Sequence, residues 1–269
     1  MSNVVTSVKI KNTPGFNGEF TADFCPGVNV LIGGNGSGKT TILRKLYEET
    51  RLPKIFIPVA EMLSHSKGLL ALDKKLKMPY DQTEIDVLMN AELPETREVS
   101  PVIQTLLTQI SKVINGEVLY ENDTFFVVKK DGRKVRFADE ASGFQKFGLL
   151  WKLLRNGLIE SGSVLFWDEP EASINPELIP TLVDVLLTIQ KTGVQIFIAT
   201  HNYDVAQWLE LNKTAETIIR YFNLRKVDGQ INADVSDNYD TLNSVIDEAD
   251  NKLLRRVVLK ASGARVSAK

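Results

Sequence analysis

One stretch constrains this chain more than any other: Gly33-Gly34-Asn35-Gly36-Ser37-Gly38-Lys39-Thr40-Thr41. The short apolar run Val28-Asn29-Val30-Leu31-Ile32 precedes it, and the apolar residues that follow recur at helical spacing, which predicts a strand, a glycine loop and a helix. Glycines let backbone N–H groups approach phosphate oxygens, and the N-terminus of the helix attracts negative charge. The stretch fits G-x-x-x-x-G-K-[ST] in the required context, so it predicts a nucleotide-binding P-loop.

Two acidic residues end a later apolar run, Val164-Leu165-Phe166-Trp167. Open parallel sheets bind ligands at the carboxyl ends of their strands, so we expect Asp168 and Glu169 to lie near the P-loop. In that arrangement Lys39 reaches the β- and γ-phosphates and Thr40 ligates Mg²⁺, while Asp168 holds the ion either as a direct ligand or from just outside its ligands. Glu169 then orients and deprotonates the attacking water, which makes Lys39 and Glu169 predicted catalytic residues.

Strands and helices alternate along most of the chain, which predicts an α/β fold with a mostly parallel sheet covered by helices on both faces. We predict a single domain over 1–269, opened by an antiparallel β subdomain, whose nucleotide-binding core consists of 1–60 and 137–235. The more irregular stretch 61–136 reads as an inserted lobe of helices and a hairpin, and 236–269 as a C-terminal helix and tail.

Local signals add detail to this organisation. Asp131-Gly132 and Asp228-Gly229 each predict a tight hairpin turn, because both central residues of such a turn need positive φ. A final helix is predicted from Leu242 to Leu259. Two helices of the lobe are expected to bury apolar faces made of Ile85, Leu88 and Met89 in one and of Val102, Ile103, Leu106, Leu107 and Ile110 in the other.

Composition excludes several classes of protein. Charged residues make up 25% of the chain and the formal net charge is −2, so the whole molecule has no strong attraction to nucleic acid or to anionic membranes. No apolar run approaches the roughly 18 residues of a membrane span. Cys25 is the one cysteine, which excludes an intramolecular disulfide, and with two histidines a structural zinc site is not expected. We therefore expect a cytoplasmic chain without membrane insertion.

The segment Ala141-Ser142-Gly143-Phe144-Gln145-Lys146 opens a predicted helix after the lobe. Together with the P-loop and the two acidic residues, Ser142-Gly143-Phe144-Gln145 resembles the signature of ABC-type ATPases, and the chain is similar to their SMC, RecF and OLD-like branch of AAA proteins. The resemblance implies a P-loop NTPase fold of the ABC-ATPase head type, ATP with Mg²⁺, and a homodimer that sandwiches ATP. By the same resemblance Ser142, Gly143 and Gln145 belong to the signature that meets the γ-phosphate on the other protomer's P-loop.

Other positions match or depart from that family. His201, after the apolar run from Val194, resembles the switch histidine that senses the γ-phosphate, and is the third predicted catalytic residue. Asn175-Pro176 fits a helix N-cap and resembles the turn common in OLD-like ATPases. Phe144 stands in place of the second signature glycine, and Glu61 stands near the place of an expected glutamine. Whether Glu61 substitutes for that glutamine is left open.

The lobe has no sustained heptads for a long coiled coil, and the segment after Val235 has no acidic cluster suited to a nuclease. We therefore expect an ATPase whose ATP-dependent dimerisation drives or regulates a separately encoded effector. The alternatives are an ATPase subunit of a transporter and a nucleic-acid-binding sensor with slow hydrolysis. The hairpin has basic residues that could contact nucleic acid, although a solvated edge hairpin explains them better: Lys129, Lys130, Arg133, Lys134 and Arg136.

Overall fold

The computed structural model describes residues 4–13, 16–76, 80–227 and 230–242. Its strands are β1 (Ser7–Thr13), β2 (Phe16–Asp23), β3 (Val28–Ile32), β4 (Lys54–Ile57), β5 (Gly116–Glu121), β6 (Thr124–Lys129), β7 (Lys134–Arg136), β8 (Val164–Asp168), β9 (Gln195–Thr200), β10 (Ile219–Val227) and β11 (Gln230–Ser236). Its α-helices are α1 (Lys39–Glu49), α2 (Leu69–Leu76), α3 (Gln82–Glu92), α4 (Pro101–Val113), α5 (Ser142–Arg155), α6 (Ile179–Lys191) and α7 (Tyr203–Leu211).

The central sheet has six strands in the order β11-β10-β3-β9-β8-β4. All neighbours pair in parallel except β10 and β11, which form an antiparallel hairpin at one edge. Strands β3, β8 and β9 are buried along their whole length, as expected for parallel strands covered on both faces. The predicted α/β fold with a mostly parallel sheet is confirmed, and so is the antiparallel pair β1–β2.

Side chains from the two faces of the sheet enter two separate cores. In β8, Phe166 packs with α1 and the β1–β2 pair, while Leu165 and Trp167 pack with α5 and α6 on the opposite face. The Phe166 ring stacks on Phe197 of β9 at 5.1 Å between ring centroids. Because successive side chains of a strand alternate between faces, each buried strand contributes to both cores. This packing fixes the strand ends that carry the candidate site.

The stretch 61–136 contains α2, α3 and α4, followed by the three-stranded antiparallel sheet β5-β6-β7. The hairpin at Asp131-Gly132 is present, but β5 was not predicted. A turn at Asn122 and Asp123, with φ of +51° and +56°, joins β5 to β6. Met89 and Val102 are exposed, so these members of the two predicted apolar faces are wrong. The turn Asp228-Gly229 and residues 243–259 of the predicted last helix lie outside the described residues.

Candidate active site

Three neighbouring parallel strands end at one edge of the sheet, and each is followed by a predicted site segment. Residues 33–38 follow β3, Glu169 follows β8, and His201 follows β9. Strand β9 lies between β3 and β8, so the three loops lie side by side. The sequence prediction that the strand ends bring these segments together agrees with the topology.

Backbone geometry explains the glycines of the P-loop. Gly38 has φ of +94°, in the left-handed region, and begins the turn into α1, where its carbonyl accepts the N–H of Ile42 at 2.9 Å. A Cβ at Gly33 would lie 2.6 Å from the Leu224 carbonyl oxygen. By contrast, a Cβ built on Gly34 would meet no described atom within 4 Å, so the outer side of the loop is open. Thr40 and Thr41 lie in the first turn of α1.

The side chain of Lys39 spans the loop. Its Nζ donates to the carbonyl oxygens of Gly33 at 2.7 Å and Gly34 at 3.1 Å. Burial lowers the pKa of Lys39, and the nearby carboxylates of Glu169 and Asp168 act in the opposite direction. A buried ammonium group that donates to carbonyl oxygens is well placed to neutralise phosphate oxygens.

The side chains of Thr40 and Asp168 are in direct contact. The Thr40 hydroxyl donates to Asp168 Oδ1 at 3.2 Å, and Asp168 is only 2% exposed. Burial raises the pKa of Asp168, while the Thr40 hydrogen bond lowers it. A hydroxyl and a carboxylate are hard oxygen ligands of the kind that Mg²⁺ prefers with phosphates, so the donor set fits that ion. Within the described residues no group of three or more His, Cys, Asp or Glu side chains is placed to hold a metal.

Glu169 lies in a strained turn. Its φ is +46°, unusual for a residue with a side chain, and its N–H donates to the Ala199 carbonyl at 2.8 Å. Its carboxylate Oε1 lies 2.9 Å from His201 Nδ1. The turn therefore holds the Glu169 carboxylate against the imidazole, two groups that are 32 residues apart in the sequence.

The signature residues lie at the N-terminus of α5. Ser142 is exposed, and its hydroxyl lies 3.5 Å from the Ser173 carbonyl oxygen. A Cβ on Gly143 would lie 3.2 Å from the same oxygen, so the glycine lets the helix end approach the loop after β8. Gln145 is buried instead, and its Nε2 donates to Phe137 O at 2.8 Å and to Ser64 Oγ at 3.2 Å. Its amide is thus engaged within its own chain.

Other predicted residues have local roles. Glu61 accepts the N–H groups of Leu63 and Ser64, so its carboxylate caps the 3₁₀ turn after β4. Asn175 accepts the Glu177 N–H at 3.2 Å, which agrees with the predicted N-cap. Most of the basic hairpin side chains have an acidic partner: Lys129 with Glu140, Arg133 with Asp131, Lys134 with Glu121, and Arg136 with Asp139.

Sequence reasoning missed three buried polar residues beneath the site. Lys146 Nζ donates to the Glu169 carbonyl oxygen at 2.8 Å, and burial lowers its pKa to about 8 against the opposing effect of nearby carboxylates. Thr200 donates to Glu171 Oε1 at 2.6 Å. The signal was present for Glu171, which closes the run Asp168-Glu169-Pro170-Glu171. No local pattern distinguished Lys146 or Thr200, since only the fold brings them to the site.

Two family models match the chain. One, described as "AAA domain, putative AbiEii toxin, Type IV TA system", matches residues 63–205, and one described as "AAA domain" matches residues 7–46. Among similar proteins, an arginine transport ATP-binding protein, ArtP, of Haemophilus influenzae is 28% identical over 66% of this chain and 72% of its own length. An L-cystine import ATP-binding protein, TcyN, of Bacillus subtilis is 27% identical over 67% and 68%.

Solved structures agree on the fold. An SMC head domain from Thermotoga maritima is 14% identical with a TM-score of 0.50, covering 86% of this chain and 98% of that chain. An SMC head bound to the C-winged helix domain of ScpA is 11% identical with a TM-score of 0.53, covering 86% and 96%. In the part of the chain that the structure describes, no helix combines the length and apolarity needed to cross a membrane. The first family model spans more than half of the chain, so the chain belongs to this AAA-domain family and is an ATP-hydrolysing enzyme with the fold of ABC-type ATPases.

Proposed function

We propose that Lys39, Glu169 and His201 carry out ATP hydrolysis at the edge formed by β3, β8 and β9. The observation that carries this proposal is the contact of 2.9 Å between Glu169 Oε1 and His201 Nδ1, on loops beside the P-loop. The Glu169 side chain is 25% exposed and that of His201 is 46% exposed, so both can reach a substrate from solvent. A carboxylate fixed beside a phosphate-binding loop is placed to act on a water molecule.

The P-loop binds the phosphates of ATP through its backbone N–H groups and the ammonium group of Lys39. Lys39 Nζ already lies at the loop, where it donates to two carbonyl oxygens, and a phosphate would replace those weaker acceptors. Thr40 and Asp168 would hold Mg²⁺, which when bound neutralises negative charge on the phosphates. The hydrogen bond from Thr40 to Asp168 keeps both oxygens on one side of the loop.

Glu169 acts as the general base. It accepts a proton from the attacking water, whose oxygen bonds to the γ-phosphorus while the bond to the leaving oxygen of ADP breaks. His201 holds the carboxylate from the side through Nδ1, which donates when that nitrogen carries the proton. Lys39 neutralises charge on the phosphates, so positioning and electrostatics supply most of the catalysis.

A second copy of the chain completes the site. Ser142 is exposed at the N-terminus of α5, where a hydroxyl and helix N–H groups together suit an anion. The tight packing of Gly143 on the Ser173 carbonyl ties this helix end to the loop after β8. In the proposed homodimer each P-loop faces Ser142 and Gly143 of the other protomer, so two ATP molecules are enclosed.

The output of the cycle is the closing and opening of this dimer, which acts on a separately encoded effector. Paired charges in the hairpin argue against nucleic acid as the main partner, because four of its five basic residues already have an acidic partner. The transport ATP-binding proteins among the relatives favour a second candidate, an ATPase subunit of a transporter. Hydrolysis stimulated several-fold by a co-purifying membrane protein would support that candidate, and stimulation by a soluble partner would support the first.

The test of the site and of the dimer is Glu169→Gln, which keeps the size of the side chain and removes the base. We expect hydrolysis to fall by about 10²- to 10⁴-fold while ATP binding remains. By light scattering, the mass of this variant should double with Mg-ATP and not without it. The control is Glu177→Gln, the same change at an exposed residue outside the site.

Hydrolysis by E169Q at the rate of the parent chain would remove Glu169 as the base. A variant that binds ATP and stays monomeric would remove the homodimer, and would require another chain to supply the facing half-site.

A further inference from the structure

A buried carboxylate lies directly beneath the proposed site, and the reaction described above does not use it. Glu171 is 6% exposed, and its Oε1 accepts the Thr200 hydroxyl at 2.6 Å. Its Oε2 is buried with no hydrogen-bond partner among the described residues. Burying a carboxylate costs free energy of desolvation. A role in positioning neighbouring residues would explain why a carboxylate is found here and not an apolar side chain.

The Thr200 hydroxyl continues the chain of hydrogen bonds. Thr200 ends β9 and is fully buried, and its oxygen accepts the N–H of Asn202 at 2.9 Å while its proton goes to Glu171. His201 lies between Thr200 and Asn202 in the chain, so hydrogen bonds fix the backbone on both sides of it. The Asn202 side chain in turn accepts the Val205 N–H at 3.2 Å and caps α7.

Glu171 is itself held in the loop that carries Glu169. The Ala172 N–H donates to the Glu169 carbonyl at 3.0 Å, and the Ile174 N–H donates to the Glu171 carbonyl at 2.9 Å. Lys146 Nζ fixes the same Glu169 carbonyl from α5. The backbone that carries Glu171 is therefore fixed in place. The hydrogen bond between its carboxylate and the Thr200 hydroxyl connects the loop after β8 to the end of β9.

Packing alone does not fix the imidazole, because the His201 side chain is 46% exposed. Its place at 2.9 Å from Glu169 depends on where the backbone of residues 200–202 is held. We propose that Glu171 is a positioning residue, which sets His201 against Glu169 through the hydroxyl of Thr200. This inference rests on the proposed roles of Glu169 and His201.

The test compares Thr200→Val, which keeps the shape of the side chain and removes the hydroxyl, with Thr200→Ser, which keeps the hydroxyl. We expect kcat for ATP hydrolysis to fall about tenfold in T200V and less than about twofold in T200S, with ATP affinity unchanged in both. If T200V fails to fold, a second pair of variants tests the same bond. Glu171→Gln keeps an oxygen that accepts the Thr200 hydroxyl, and we expect it to retain hydrolysis. Glu171→Met has no acceptor, and we expect it to lose hydrolysis.

The same substitutions are repeated in a His201→Ala background to test the route. If Glu171 and Thr200 act through His201, T200V causes no further loss there, because coupled residues are not additive. Equal hydrolysis by T200V and T200S, or an undiminished tenfold loss in the H201A background, would overturn the inference. A parent chain that fails to hydrolyse ATP would instead overturn the proposed function.

Discussion

The nucleotide edge of the sheet and the β6–β7 hairpin are both rich in charge, but they handle it in opposite ways. In the hairpin, exposed cations pair with exposed acids, as in Arg133 with Asp131 and Arg136 with Asp139. At the nucleotide edge, Lys146 and Glu171 are buried, and neither has a dedicated ion-pair partner within 4 Å among the described residues. The first arrangement costs little to form or to lose, whereas the second is maintained against a desolvation penalty.

Burial, and not the number of charges, separates the candidate site from the exposed ion pairs of the hairpin. Lys129 of the hairpin differs from its exposed neighbours. The side chains of Lys129 and Glu140 are only 12% and 7% exposed, and Lys129 Nζ also donates to the Ile114 carbonyl at 2.9 Å. Lys129 is adjacent to the exposed cations in sequence, but its side chain is mostly shielded from solvent, and unlike Lys146 it has an acidic partner.

The largest effect is expected for Lys129→Gln. Removing one partner of a buried ion pair leaves the Glu140 carboxylate without its cation at 2.6 Å, so the free energy of unfolding should fall by about 3 kcal/mol. Urea unfolding measures this loss. The double variant K129Q/E140Q should recover most of it, since no uncompensated charge remains. If the free energy of unfolding of K129Q fell by less than about 0.5 kcal/mol, Lys129 would contribute no more than an exposed cation, and the prediction would be wrong.

Next is Lys146→Met, which removes the ammonium group that holds the Glu169 carbonyl at 2.8 Å. We expect hydrolysis to fall about tenfold, because the strained turn loses the hydrogen bond that supports it. Phosphate release measures the effect. The control is Lys152→Met, on the same helix and equally buried but paired with Glu95, which should leave the rate within about twofold. Equal losses in the two variants would mean that any buried lysine of α5 matters.

The same variant has a pH-dependent effect on stability. Burial lowers the pKa of Lys146 from its ordinary 10.5 to about 8, so between these values the unfolded chain binds more protons than the folded one. The charged Lys146 therefore lowers the free energy of unfolding of the parent chain at pH values below about 8. This penalty is lost progressively as the pH rises from about 8 to about 10.5. Methionine has no such dependence. The unfolding free energy of K146M relative to the parent should be highest near pH 7 and fall towards pH 10, and a constant difference would contradict the assignment.

Local signals in the sequence predicted the fold well where strands are bounded by glycine or acidic residues. The apolar run of β3 and its glycine loop are complete within one stretch of chain, and the same holds for β8 with Asp168 and Glu169. Strand β5 was missed because its apolar residues form one short run, 118–120, without the alternation typical of a half-buried strand, and because the strand depends on pairing with β6. Register and pairing of that kind arise between segments, which periodicity does not report.

The candidate site divides in the same way. Glu169 directly follows one predicted strand, and Lys39 and Thr40 begin the helix after the glycine loop of another, so the topology of a parallel sheet brings them to the same edge. Lys146 and Glu171 reach partners 23 and 29 residues away in the sequence. The acidic run 168–171 marks Glu171 as a candidate, but no local pattern indicates either of these contacts. Sequence reasoning thus predicted the side chains at the open edge of the sheet and missed the buried ones that contact the loops beneath them.

The smallest effect is expected where charge is most concentrated in the sequence, in the triple variant Arg133→Gln, Lys134→Gln and Arg136→Gln. Each side chain is at least 40% exposed and pairs with an exposed acid, so solvent screens each pair. We expect the free energy of unfolding to change by less than about 1 kcal/mol in total, and hydrolysis to stay within about twofold. A larger loss of stability in this triple variant than in K129Q would break the comparison, because three exposed pairs would then outweigh one buried pair. A selective loss of hydrolysis with stability intact would instead link the hairpin to the nucleotide cycle, and would reopen it as a surface for an anionic partner.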